Sequence, residues 1–232
     1  MFSVLCISES KRRRVPRKCT VESYLSPVKG AAPYKVINVT PGRKGIDWKT
    51  VCLAAGCSSS SMLLPESVEI PLYAPAIRFE PQVLPLLAAL NTALSQSGKE
   101  NAQKRSMVIC DSKAVLADYI SRAVPYASKI AVVTVFPELY LKSAAEIMDK
   151  FGAVIKISSQ VDTSVRYDIA VSDAEKVNAE LCVTADDIRR KADTMVLPDE
   201  YVRMCPPQIE LFDFICALFE CSGVTNLTDV KL

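Results

Sequence analysis

The stretch MVICDSKAVLADYISRAVPYASKIAVVTV, residues 107–135, decides how the chain is read. It opens on an apolar run, turns at Asp111–Ser112–Lys113, continues at helical spacing from Lys113 to about Val124, and closes on a second apolar run over 129–135. Two apolar runs joined by an amphipathic segment are the pattern of a β-α-β unit. The stretch contains no glycine, and none lies anywhere between Gly98 and Gly152.

Downstream the pattern repeats. Glu138–Phe151 reads as a helix with Leu141, Ala144, Ala145, Met148 and Phe151 on one stripe and Gly152 as its C-terminal cap. Strands are expected at 153–158 (AVIKIS) and 167–172 (YDIAVS), with another at 194–198 (TMVLP). PPQIELFDFICALFEC then reads as a terminal helix starting at Pro206 or Pro207, with Ile209, Phe212, Ile215 or Cys216, and Phe219 buried. Continuous apolar strands alternating with amphipathic helices predict a mostly parallel sheet covered on both faces.

Upstream, YKVINVT (34–40) reads as a strand because β-branched residues dominate it and Pro-Gly follows. A helix comes next, capped by Asp47 and ended by Gly56, and a strand is expected at 61–65. Five prolines between Pro65 and Pro85 mark a connector without regular structure. The segment after Pro81 has leucines and alanines at the spacing of one helix face and stops at Gly98. The domain boundary is placed here: a small basic N-terminal α/β domain over 1–79, then a linking helix and a second domain over 80–232.

Composition removes several chemistries. The 232 residues include no histidine, so this chain holds neither a Ser/His/Asp nor a Cys/His nucleophile. Its nine cysteines are an odd number with no CxxC pair, the pattern of a reducing compartment, and no metal site is expected. No apolar run approaches the roughly 20 residues that span a bilayer, and MFSVLCIS is apolar first and basic afterwards, the reverse of a secretory signal. The expectation is a cytoplasmic protein with no membrane partner.

The formal charge of +2 conceals an asymmetry: residues 1–50 carry 11 Lys and Arg against 3 Asp and Glu. The densest run is KRRRVPRK, residues 11–18. It reads as a solvated loop between strands or as a polyanion contact through Arg12, Arg13 and Arg14. PGRKG, 41–45, joins a strand to a helix and offers Arg43, Lys44 and backbone N–H groups to an anion, or is a plain turn. CSSSS from Cys57 is open in the same way.

Residues 80–172 resemble the linking helix and Rossmann-like domain of amino-acid and shikimate dehydrogenases. In that family the first strand meets its helix at GxGxxG, whose glycines let the backbone approach a pyrophosphate. Here those places hold Cys110, Asp111, Ser112, Lys113, Ala114 and Val115, and the acid expected after the second strand is replaced by Thr134, Val135, Phe136 and Pro137 before Glu138. The resemblance implies an α/β fold with a Rossmann-like, mostly parallel three-layer domain behind the smaller N-terminal one. It implies no cofactor: Asp111 and Ser112 occupy the diphosphate's space, a carboxylate repels it, and NAD(P) binding is disfavoured.

A parallel sheet would still present a ligand cleft at its carboxyl edge. The residues arriving there are Asp111, Ser112, Thr134, Glu138, Ser158, Ser172 and Asp173. They are helix caps and strand ends, or they line a cleft for a small polar, amino-bearing ligand. Three readings stand: a non-catalytic binding or regulatory protein on a degenerate scaffold, which is favoured; a dehydrogenase-related enzyme with an altered nucleotide site; and a protein that docks nucleic acid through its basic N-terminal region. A homo-oligomer is left open. On the third reading, binding to DNA or RNA weakens steeply with added salt and falls when Arg12, Arg13 and Arg14 become alanine. Failure to retain either nucleic acid at low salt removes that reading.

Overall fold

The computed structural model describes residues 1–8, 18–26, 32–42, 45–56, 61–173, 176–192 and 199–221. Arg12, Arg13, Arg14, Arg43, Lys44, Cys57 with the serines 58–60, and the strand expected at 194–198 lie outside the described residues. The chain divides into two compact units, Met1–Pro81 with Val196–Asn226, and Gln82–Met195 with Leu227–Leu232.

In the first unit, β1 (Phe2–Ile7), β2 (Lys18–Tyr24), β3 (Tyr34–Thr40), β4 (Ser61–Leu63) and β5 (Ile77–Arg78) form a sheet in the order β2-β3-β1-β4-β5. Only β2 runs antiparallel to its neighbour. Strand β3 has the bounds its β-branched residues predict, and the proline-rich connector contributes the short β5. Helix α1 (Trp48–Ala55) begins where the Asp47 carboxylate accepts the Thr50 N–H and ends at Gly56, whose φ of +83° is the left-handed conformation glycine adopts freely. It packs Trp48, Val51, Cys52 and Ala55 on Leu5, Ile37 and Val39. Gly42 and Gly45 exchange both of their backbone hydrogen bonds, so those two N–H groups are already taken.

The alternate residues of β1 and β3 point to the sheet's other face. There Phe2 stacks on Tyr34 at 5.6 Å, and Phe214 meets Tyr34 edge-on at 5.1 Å. Phe214 belongs to α6 (Leu211–Glu220), which follows α5 (Asp199–Met204); the Gln208 amide between them pairs with both the N–H and the C=O of Ile7 at 2.7 Å. The sequence carried the second domain on to residue 232, whereas α5 and α6 fall in the first unit. The terminal helix also starts later than Pro207 and buries Phe214–Phe219, leaving Ile209 and Phe212 half-buried.

The second unit opens with α2 (Val83–Ser97). It contains β6 (Ser106–Cys110), β7 (Lys129–Val133), α3 (Pro137–Phe151), β8 (Ile155–Ser158), β9 (Tyr167–Ser172), β10 (Ala179–Thr184) and α4 (Ala185–Ala192). All five strands are parallel, in the order β10-β9-β6-β7-β8. With β6 as the first strand this is the 3-2-1-4-5 order of a Rossmann-like sheet, and the topological switch falls between β6 and β9. Ser106 donates both its N–H and its hydroxyl to the Asp168 carboxylate, at 2.7 and 2.8 Å, pinning β6 to β9 and holding that carboxyl below its ordinary range.

Two expectations fail in this unit. The helix predicted over Lys113–Val124 is a series of turns ending in a 3₁₀ segment, Ile120–Ala123. Ala114 sits at a φ of +56°, outside the right-handed helical region, the amides of Val115 and Leu116 bond the Asp111 side chain, and Pro125 closes the segment. The stripe of α3 does not face the core either: Leu141, Met148 and Phe151 are exposed, and Tyr140 and Ile147 point inward. A hydrogen bond from Tyr140 to Asp111 sets that rotation.

The sheet's faces are covered unequally. Met107, Ile109, Ile130, Val132, Ile169 and Val171 are all buried on one, and α2 packs against β9 and β10. On the other, Val108, Cys110, Ala131 and Ala170 cluster with Tyr167, Val161, Val177, Ala179 and Cys182, and no helical residue joins them. The right-handed crossover rule sends the β8–β9 and β9–β10 connections across this second face. Residues 159–166 and 173–178 are too short to carry helices there. No helix among the described residues is long and apolar enough to cross a membrane.

Because Phe214 is wholly buried between Phe2 and Tyr34, its replacement by alanine is expected to cost about 3–5 kcal/mol, measured by denaturant unfolding of the full chain.

Candidate functional site

The incomplete cover leaves a cleft of about 530 Å³ at the carboxyl end of the second sheet. Its floor is Cys110 and Val133 on the exposed side of β6 and β7. Its walls come from the two short connections, with Val161, Asp162 and Val165 from one and Lys176, Val177 and Asn178 from the other, and from Tyr167 at the start of β9. Of the residues that sequence placed at this edge, Ser112, Thr134, Ser172 and Asp173 line the cleft. Asp111, Glu138 and Ser158 do not.

Each of those three has another place. Asp111 is wholly buried behind the β6 end. Its carboxylate accepts the Val115 N–H at 3.0 Å, the Leu116 N–H at 2.7 Å and the Tyr140 hydroxyl at 2.5 Å. Burial pushes the Tyr140 hydroxyl's pKa far up, and the charge and hydrogen bond of Asp111 push it further, so the tyrosine stays a donor. Glu138 is exposed in the first turn of α3, where its charge suits the helix dipole. Ser158 donates its hydroxyl to the Gln160 carbonyl at 2.9 Å, within its own loop.

Along the rim, Ser112 donates its N–H to Asp173 Oδ2 at 2.7 Å and its hydroxyl to the same oxygen, joining the turn after β6 to the end of β9. The Asp173 N–H continues the ladder by donating to the Cys110 carbonyl at 3.1 Å. Thr134 is nearly buried and accepts the Phe136 N–H at 3.2 Å. Asp162 is held by Ser164, N–H and hydroxyl both, and by Lys156 at 3.5 Å; these partners keep its carboxyl below the ordinary range. Burial raises the Cys110 thiol to about 11, and the nearby Asp173 carboxylate adds to the rise, so at neutral pH it is an unreactive thiol.

Taken together, the turn has little left to offer a phosphate. The N–H groups of Ser112, Ala114, Val115 and Leu116 all donate to Asp111 or Asp173. These are the groups with which a dinucleotide fold meets the pyrophosphate, and here the carboxylates of Asp111 and Asp173 take those of Ser112, Val115 and Leu116, and the Asp111 carbonyl takes that of Ala114. Among the described residues no group of three or more Cys, Asp or Glu is placed to hold a metal.

The wall residues Val161, Asp162, Val165, Tyr167 and Lys176–Asn178 are absent from the residues chosen on sequence. One signal was present: with strands at 153–158 and 167–172, only eight residues remain between them, fewer than the dozen or more that a helical crossover needs. The missing helix, and the face it leaves open, follow from that length.

No family model and no curated protein matches the chain. Among solved structures, the crystal structure of L-tryptophan dehydrogenase from Nostoc punctiforme is similar at 11% identity with a TM-score of 0.34, over 82% of this chain and 68% of that one. This is a resemblance of layout.

The Asp111 cluster carries its own expectation. Tyr140→Phe removes one of three donors from a buried carboxylate and should lower unfolding stability by about 1–3 kcal/mol. Asp111→Ala, which orphans the hydroxyl and both amides, should cost more in the same denaturant titration.

Proposed function

We propose that this chain is a non-catalytic binding or regulatory protein that uses its second unit as a scaffold and takes a small ligand in the cleft at the carboxyl edge. What carries the reading is the occupation of the phosphate-facing amides by Asp111 and Asp173, which leaves a cleft with apolar walls and no seat for a diphosphate. Pockets of a few hundred Å³ lined mainly by apolar side chains with a few polar groups are the usual form of small-molecule sites. Its non-catalytic character is supported by the missing histidine and by burial, which raises the pKa of Cys6, Cys19, Cys110 and Cys205 alike.

The strand order keeps a second reading in play, a dehydrogenase-related enzyme whose nucleotide sits at the switch point in an altered way. A thermal-shift panel of NAD, NADP, S-adenosylmethionine and mononucleotides separates the two. A ligand that binds only the folded chain raises its melting temperature. The binding-protein reading expects no rise with NAD or NADP; a rise of several degrees with either transfers the conclusion to the enzyme. Native mass spectrometry of the purified chain is expected to show a retained small molecule.

A further inference from the structure

We infer that the cleft selects a primary ammonium compound with an apolar body, and that Asp173 is the residue that sets this charge preference. The inference rests on the ligand-binding reading of the cleft and sharpens it to a ligand class.

Asp173 lines the cleft with an unevenly used carboxylate. Oδ2 receives both donors of Ser112, whereas Oδ1 accepts no hydrogen bond from any of the described residues. The two bonds from Ser112 hold the carboxylate in one orientation. An ammonium seated at Oδ1 therefore meets a charged acceptor whose position is already set, with little ordering left for binding to supply.

The charges around it leave Asp173 in control. Among the described residues Asp162 is the other carboxylate of the lining, and it is paired with Lys156 at 3.5 Å. Lys176 is the lining cation; it is exposed, so water screens its repulsion of an ammonium. Lys113 is exposed on the adjoining turn and is screened likewise. Behind the floor lies the Asp111 carboxylate, wholly out of water, which adds negative potential at the same strand end.

A second polar group is available for the ligand. Thr134 is 2% exposed, and its hydroxyl oxygen accepts the Phe136 N–H while its own proton has no acceptor among the described residues. Thr134 follows β7 and Asp173 follows β9, on either side of β6, so they stand about two strand spacings, ~10 Å, apart. A ligand that seats its ammonium at Asp173 and carries an acceptor one such span away satisfies both. Between them the floor of Cys110 and Val133 and the walls of Val161, Val165, Tyr167 and Val177 are apolar and receive the body.

The test is a matched series differing only in the charge of the head: 2-phenylethylammonium, 2-phenylethanol and 3-phenylpropanoate, titrated calorimetrically into the full chain at pH 7. The ammonium is expected to bind at least about tenfold more tightly than the carboxylate. Asp173→Asn, which keeps shape and removes charge, is expected to erase that preference while leaving the alcohol within about twofold. Equal or tighter binding of the carboxylate by the unaltered chain overturns the charge assignment without any variant, as does an Asp173→Asn chain that retains the preference. The alcohol separates the two levels of the claim: if it binds without a charge preference in the series, only Asp173's role fails, whereas if no member binds, the cleft reading fails with it. Val161→Trp, which fills the wall, should abolish binding of every member; unchanged binding to that chain places the ligand elsewhere and overturns the inference.

Discussion

The Asp111 carboxylate, wholly removed from water, takes one hydroxyl from α3 and two amides from the turn that follows β6, and the arrangement of the second unit follows from keeping it satisfied. A buried carboxylate is costly unless its lone pairs are filled, and here the amides of Val115 and Leu116 and the Tyr140 hydroxyl fill them. With Ala114 at a φ of +56° and Val115 and Leu116 turned to Asp111, the segment up to Pro125 is a chain of turns. Once Tyr140 turns its hydroxyl there, the rotation of α3 is settled: Tyr140 and Ile147 go in, and Leu141, Met148 and Phe151 come out.

The same economy of donors decides what the edge of the sheet can receive. A dinucleotide fold keeps its amides free for an anion by using glycines that bring the backbone close and carry no side chain. This chain fills those places with Asp111 and Ser112 and ties Ser112 across to Asp173, so negative charge is already built in where negative charge would have bound. The strand order is that of a Rossmann-like sheet, and its edge carries carboxylates. Short connections across the opposite face complete the change, since a helix there would have covered Val108, Cys110 and Ala131, whereas eight residues leave room for a cleft.

Much of the architecture was legible along the chain. Strands β3 and β9 carry the bounds their apolar and β-branched runs indicate, α1 lies between Asp47 and Gly56, and α3 ends at Gly152 in the left-handed conformation. Those signals are local, held within a few residues of each other. The candidate edge was legible only in part. Ser112, Thr134, Ser172 and Asp173 follow from strand ends in a parallel sheet, but Asp111 follows the same rule and is turned inward. Val161, Val165 and Val177 come from connections whose importance appears only when the cover of the sheet is known. On the other unit, Phe214 could be recognised as apolar, yet nothing near it in the chain identified Phe2 and Tyr34 as its neighbours.

The division is one of range. By itself the sequence determined the periodicities, the caps and stops, the absence of histidine chemistry and the loss of the glycine fingerprint, because each depends on the identity and spacing of near neighbours. Only the tertiary structure decided which way α3 is turned, whether a helix follows β6, which face of the second sheet stays open, and where the terminal helix packs. Those outcomes rest on pairs far apart in the chain, Tyr140 with Asp111, Ser112 with Asp173, Phe214 with Tyr34. A buried polar group must find its partner wherever the fold supplies one, and the linear pattern does not record where that is.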